Sequence, residues 1–104
     1  MTAATARVPA HVVYRMFAQE TVVLNLKTGR YHGLNPTAGT MLTALERHAT
    51  VGEAATWLAA HYERPLEEIE RDIRALCLDL LDRGLIDLVS ADGSRPGLNS
   101  RDAG

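Results

Sequence analysis

Four histidines, one cysteine and 13 acidic residues are the side chains here that could carry acid–base, nucleophilic or metal chemistry. His11, His32, His48 and His61 are scattered, and no two of them stand at the spacing of a helical ligand pair. Bound zinc requires three or four convergent ligands, so each histidine reads as structural or solvated. Cys77 lies in an apolar run, where a free thiol behaves as a small hydrophobe and not as a nucleophile. As the only cysteine it also excludes an internal disulfide and a cysteine-rich metal site. The carboxylates fall mostly on expected helix faces, and no pair stands out for general acid and base work. Gly29 and Gly33 do not make a phosphate loop. Gly29 reads as a turn residue and Gly33 as a point of close backbone approach. No catalytic residue, metal or cofactor is expected.

The chain is 104 residues long, a length that suits one domain, and 46% of it is hydrophobic, enough for a modest core. A net charge of -2, with 11 Lys and Arg, gives it no general attraction to nucleic acid or to an anionic membrane. No apolar run approaches membrane-spanning length, and the first nine residues lack the apolar segment of a signal peptide. The lone cysteine fits the cytoplasm. No internal repeat is visible.

The expected fold class is α+β, a three-stranded antiparallel sheet followed by three helices, with the parts of a winged helix-turn-helix. Residues 1–8 are expected to be flexible, 9–89 to form the domain and 90–104 to be a disordered tail. "HVVYRMFA" at 11–18 is rich in β-branched and aromatic residues and reads as a strand. "ETVVLNLKTGRYHGLN" reads as a hairpin. Val22, Leu24 and Leu26 alternate with Val23, Asn25 and Lys27 at period two, and Thr28 with Gly29 supplies the turn. Residues 30–34 return as the next strand. Asn35 caps the helix that follows, Pro36 suits its first position, and Met41, Leu42 and Leu45 face inward. Thr50 and Glu53 form a capping box for a second helix that buries Ala54, Trp57, Leu58 and Tyr62. Pro65 opens a third helix with one apolar stripe, Leu66, Ile69, Ile73, Leu76, Cys77 and Leu80. Gly84 ends it, and "LIDLV" at 85–89 reads as a final strand or extended segment.

Two features of this plan bear on function. The strand at 30–34 ends a meander, so one of its edges lacks a partner, and an open edge is a hazard unless it is blunted or used. Leu78 and Leu81 lie to one side of the third helix's stripe, beside Glu70 and Arg74. They mark either a wide core stripe or a helix flank left open as the wall of a groove, which would suit a peptide.

The segments "VVLNLKTGRYHGLNPTAGTMLTALE" and "TVGEAATWLAAHYERPLEEIERDIRALCLDLLDRGLI" resemble the PqqD family, small proteins named for pyrroloquinoline quinone biosynthesis. The resemblance covers about residues 8–89. It implies a recognition element for the precursors of ribosomally synthesised and post-translationally modified peptides (RiPPs). Such a protein binds the leader segment as an added antiparallel strand and presents it to modifying enzymes. The implied peptide-binding residues are Arg30, Tyr31, His32, Gly33 and Leu34 on the strand. Glu70, Arg74, Leu78 and Leu81 follow as the helix wall from their spacing. "TGRYHGLNPTA" looks most like the standalone recognition proteins of lasso peptide biosynthesis. This implies a leader with a Tyr-x-x-Pro motif, a separate cysteine-type leader peptidase and an ATP-dependent cyclase as partners. Where members often carry a bulky aromatic, this chain has His32 followed by Gly33.

Three other readings compete. One is a PqqD proper, serving a radical enzyme that makes pyrroloquinoline quinone. Another is a winged-helix DNA-binding regulator, disfavoured by net charge -2 and an acidic third helix. The last is a small enzyme, disfavoured because no catalytic constellation assembles. Which backbone groups of 30–34 face the open edge depends on hairpin register, which the sequence leaves open.

Overall fold

The computed structural model describes residues 2–90. Its chain order is β1 (Thr5–Arg7), β2 (Val12–Met16), β3 (Thr21–Asn25), β4 (Arg30–Leu34), α1 (Pro36–Arg47), α2 (Val51–Tyr62), α3 (Leu66–Asp82) and β5 (Asp87–Val89). Strands β2, β3 and β4 form the expected antiparallel meander in that spatial order, and the three helices follow it. Of the stretch over 90–104, expected to be a disordered tail, residues 91–104 lie outside the described residues.

The hairpin between β3 and β4 is organised by Asn25. Its buried side-chain oxygen accepts from the N–H groups of Lys27 (2.9 Å) and Thr28 (3.3 Å), and its carbonyl accepts from Gly29 (2.7 Å). Gly29 takes φ 75°, a conformation that costs glycine nothing and other residues about 1 kcal/mol or more. Alternation along β3 resolves with Thr21, Val23 and Asn25 buried; Val22 and Leu24 lie on the outer face. The strand-to-helix joint is one residue long. Asn35 stays extended while its side chain accepts from Ala38 N–H at 2.7 Å, and Pro36 opens α1.

α1 lies close on β3. A Cβ added at Gly39 would fall 1.9 Å from Thr21 Oγ1 and 2.8 Å from Thr21 Cβ, so only glycine permits this approach. Met41, Leu42, Ala44 and Leu45 then join Val23 and Leu34 in the core, with Leu58 of α2 and Ile69, Ile73, Cys77 and Leu80 of α3. Tyr14 ties β2 to α1 by donating to Glu46 Oε1 at 2.6 Å. Burial and that bond hold its hydroxyl above the ordinary phenol range.

The start of the chain departs from the flexible segment expected over 1–8. Thr5–Arg7 pairs antiparallel with Asp87–Val89, and Ala4 and Ala6 are buried. The same stretch caps α2. Val51 N–H donates to the Ala4 carbonyl and Gly52 N–H to the Thr2 carbonyl, both at 2.8 Å, while Thr50 Oγ1 accepts from Glu53 N–H at 3.1 Å. Three of the four orphan donors at that helix end are thereby satisfied. Two apolar side chains expected inside are not. Leu66 opens α3 and is 42% exposed. Trp57 is 44% exposed, one ridge off the buried Val51, Ala55 and Leu58, and stacks at 4.8 Å on His61 one turn along.

Gly39→Ala should destabilise the protein by about 1–3 kcal/mol through overpacking against Thr21. At roughly 4–8 °C per kcal/mol for a domain of this size, thermal melting followed by circular dichroism reads this directly. An unchanged Tm would show that α1 does not depend on this close approach.

Candidate functional site: the free edge of β4

The hydrogen-bond phase of the sheet follows from two backbone bonds at its ends. Phe17 N–H donates to the Glu20 carbonyl at 2.8 Å and Leu26 N–H to the His11 carbonyl at 2.7 Å. With the register Met16↔Thr21 through Val12↔Asn25, residues 20, 22, 24 and 26 direct their backbone groups toward β2. Thr21, Val23 and Asn25 therefore direct theirs toward β4, where their partners are Leu34, His32 and Arg30. The backbone N–H and C=O groups of Tyr31 and Gly33 are left pointing away from the sheet, at an edge where β4 has no neighbouring strand among the described residues.

Side chains on β4 divide the other way. Leu34 is buried and His32 half-buried on the inner face, opposite Thr21 and Val23, with exposed Arg30 at the hairpin end of the same face. Tyr31, 72% exposed, and Gly33 belong to the outer face, opposite Leu24 and Val22. An incoming strand would meet two outward backbone pairs, an aromatic ring, and one position with no side chain.

On α3, Glu70, Arg74, Leu78 and Leu81 form one flank. Glu70 and Arg74 border a small cleft with Thr2, Val51 and Ala55, at the end where the chain start meets α2. Leu78 is 54% exposed, and Leu81 is half-buried against the core. Leu78 is thus no part of a wide core stripe, whereas Leu81 is partly so. Among the described residues no hydrogen bond or ion pair joins β4 to α3.

The sheet has a second outer strand, β2. A shallow groove of about 660 Å³ runs along it, lined by Val8, Pro9, Tyr14, Met16, Thr43 and Glu46. This edge is partly closed by its own chain. Val12 N–H donates to the Pro9 carbonyl at 2.9 Å, and the Tyr14 hydroxyl is engaged by Glu46. Beside it, Met16, Thr43, Ala44, Arg47, His48 and Trp57 enclose a cleft of about 190 Å³. Sequence reasoning placed Trp57 in the core and so missed this cleft. A tryptophan one ridge off the apolar stripe, with histidine four residues on, is the signal that could have found it.

Cys77 is fully buried, and burial pushes its thiol up to about 11, far from a nucleophile's range. His48 and His61 flank Trp57, at 6.0 and 4.8 Å between ring centroids. No group of three His, Cys, Asp or Glu side chains among the described residues could hold a metal ion. No helix among them is long and apolar enough to cross a membrane.

The profile of the family described as coenzyme PQQ synthesis protein D (PqqD) matches residues 20–86. Among solved structures the chain is similar to TbiB1 in complex with the TbiA(beta) leader peptide. That similarity has 28% identity and a TM-score of 0.69, and covers 77% of this chain and 93% of that one. It is also similar to lasso peptide synthetase B1 complexed with the leader peptide, at 27% identity and a TM-score of 0.69, covering 79% and 96% of the two chains. No curated protein matches the chain.

The phase makes proline scanning asymmetric. Proline at His32 removes a bond to Val23 and should cost about 1–3 kcal/mol, lost ladder bond and strain together. Proline at Tyr31 or Gly33 removes an outward N–H and should leave the fold largely intact. Melting temperatures of the three variants test this; equal losses at all three would mean that the edge is not free. Separately, Cys77 should resist iodoacetamide at pH 8 in the folded protein and react once denaturant unfolds it, as followed by intact mass. Rapid alkylation of the native protein would contradict its burial.

Proposed function

The chain belongs to the PqqD family, and on that footing we propose that it is a non-catalytic peptide-recognition protein of lasso peptide biosynthesis. Its ligand is the leader segment of a ribosomally made precursor. The leader adds to β4 as a further antiparallel strand, bonding to the backbone of Tyr31 and Gly33. Main-chain bonds at such an edge give affinity with little demand on sequence, and alternate side chains give specificity. The observation that carries this reading is the unpaired edge of β4 with its outward backbone groups at Tyr31 and Gly33. Arg30, His32 and Leu34 act as the inner face of the same strand.

The flank of α3 supplies the other wall. Leu78 offers exposed apolar surface, Leu81 a partly buried shoulder, and Glu70 and Arg74 a charged rim farther along. The leader carries a Tyr-x-x-Pro motif, and the bound complex is handed in the cytoplasm to a cysteine-type leader peptidase and an ATP-dependent cyclase. Similarity to two B1 proteins solved in complex with leader peptides supports the leader as ligand. The family match favours a second reading, a PqqD that serves a radical enzyme. Reconstitution with a lasso cyclase or with a radical enzyme separates the two.

A fluorescein-labelled synthetic leader, taken from the precursor gene adjacent to this chain's own, is the test. It should bind the protein, and the core segment should not. Tyr31→Pro and Gly33→Pro should weaken binding, each lost bond counting about 0.5–1.5 kcal/mol plus strain. Leu78→Glu should weaken binding with little change in Tm, since a carboxylate facing an apolar peptide loses hydration without a partner. Leu81→Glu should lower both. Incubated alone with the precursor, the protein should leave its mass unchanged; a processed product would rule out the non-catalytic reading.

A further inference from the structure

Glu20 stands just ahead of β3, and residues 20, 22 and 24 share the outer face of the sheet with Tyr31 and Gly33. Its carboxylate borders the space that Gly33 leaves empty. A Cβ built on Gly33 would come within 3.0 Å of Glu20 Oε2. Glu20 is exposed, and the ion pairs among the described residues, Arg64 with Glu68 and Arg83 with Asp79, do not involve it. Arg15 lies in the same cross-strand row as Val22 and Gly33, but on β2, two strands from the open edge. Among the described residues Gly33 is thus the one strand position without a side chain, and the carboxylate next to it has no ion-pair partner.

Resting on the reading of β4 as the strand to which a peptide adds, we infer that this edge selects a peptide with Lys or Arg directly opposite Gly33. The backbone groups of Gly33 face outward, so the peptide residue opposite it exchanges both main-chain bonds with it. Side chains of directly opposed residues in an antiparallel pair lie on the same face, roughly 4.5–5.5 Å apart at Cβ. The side chain opposite Gly33 therefore projects over the outer face. Where any other residue on β4 would meet it with a side chain, Gly33 opens a notch with the Glu20 carboxylate at its floor. A cation there gains a partner, and an acid meets like charge. Two residues farther along the peptide, the position opposite Tyr31 lies against an exposed ring, which accepts an apolar or cationic side chain. The residue between them points inward opposite His32. The specificity has a fixed spacing: cation, inward residue, ring partner.

A phage-displayed library of random dodecapeptides, panned on the immobilised full chain, supplies binders without knowledge of the natural leader. One binder is then synthesised with Lys, Gln and Glu at each position in turn and titrated against the parent, Glu20→Gln and Glu20→Lys. One position should favour Lys over Glu by about threefold to tenfold on the parent, the range of a cross-strand charge pair and its reversal. That margin should shrink on Glu20→Gln, invert on Glu20→Lys, and fade at high salt. If binding falls with Tyr31→Pro and Gly33→Pro but no position inverts, the charge selection is wrong and the β4 reading stands. If no binder is sensitive to either proline, the β4 reading falls, and this inference with it.

Discussion

The contact between Gly39 and Thr21 is the constraint on which the rest of the structure depends. It brings the α1 backbone against β3 at a distance no side chain at residue 39 would allow. The cost is visible beside it: the Thr21 hydroxyl is buried without a hydrogen-bond partner among the described residues, a deficit of roughly 1–3 kcal/mol. The close approach sets the angle of α1 on the sheet. Only Asn35 separates β4 from α1, so the same contact also aims the free edge relative to the helices. Extra residues at that joint would uncouple the two.

A consistent division of labour follows. Interior chemistry is spent on rigidity: Cys77 is an inert filler, Asn25 locks a turn, and Tyr14 ties a strand to a helix. What remains open to a ligand is mostly backbone. On the proposed reading, the two outward amide pairs on β4 supply affinity with little demand on side chains, and the few side chains nearby, His32, Tyr31 and Glu20, discriminate among partners.

Much of this was legible in sequence wherever the cause is local. The turn at Gly29, the Asn35 cap and the Pro36 start rest on neighbouring residues, and the structure forms them where expected. The pairing of Thr5–Arg7 with Asp87–Val89 was not legible. It joins opposite ends of the chain, and "TAR" is too short and too weakly apolar to show a period. Trp57 and Leu66 misled because hydrophobic type predicts burial only on average, and each sits at the margin of its helix's buried face. At the site, the open edge could be read from strand order alone. Its phase could not, because it depends on the register of two hairpins, the one closed at residues 17–20 and the one turned at Thr28 and Gly29. Nor could the overlap of Glu20 with Gly33, which needs the two strands in register before the vacancy and the charge coincide.

The clasp between β1 and β5 bears on how such a domain can be reused. Thr5 and Val89 are direct partners, so the two ends of the described chain lie at neighbouring points. Both lie in a sheet separate from the one that carries β4. A unit of this shape can be spliced into a surface loop of a larger enzyme without opening its core, because the host sees a gap hardly wider than one strand spacing. A fold built this way is portable: it can stand alone or become a cassette inside a larger chain, with the same edge of β4 available in both arrangements.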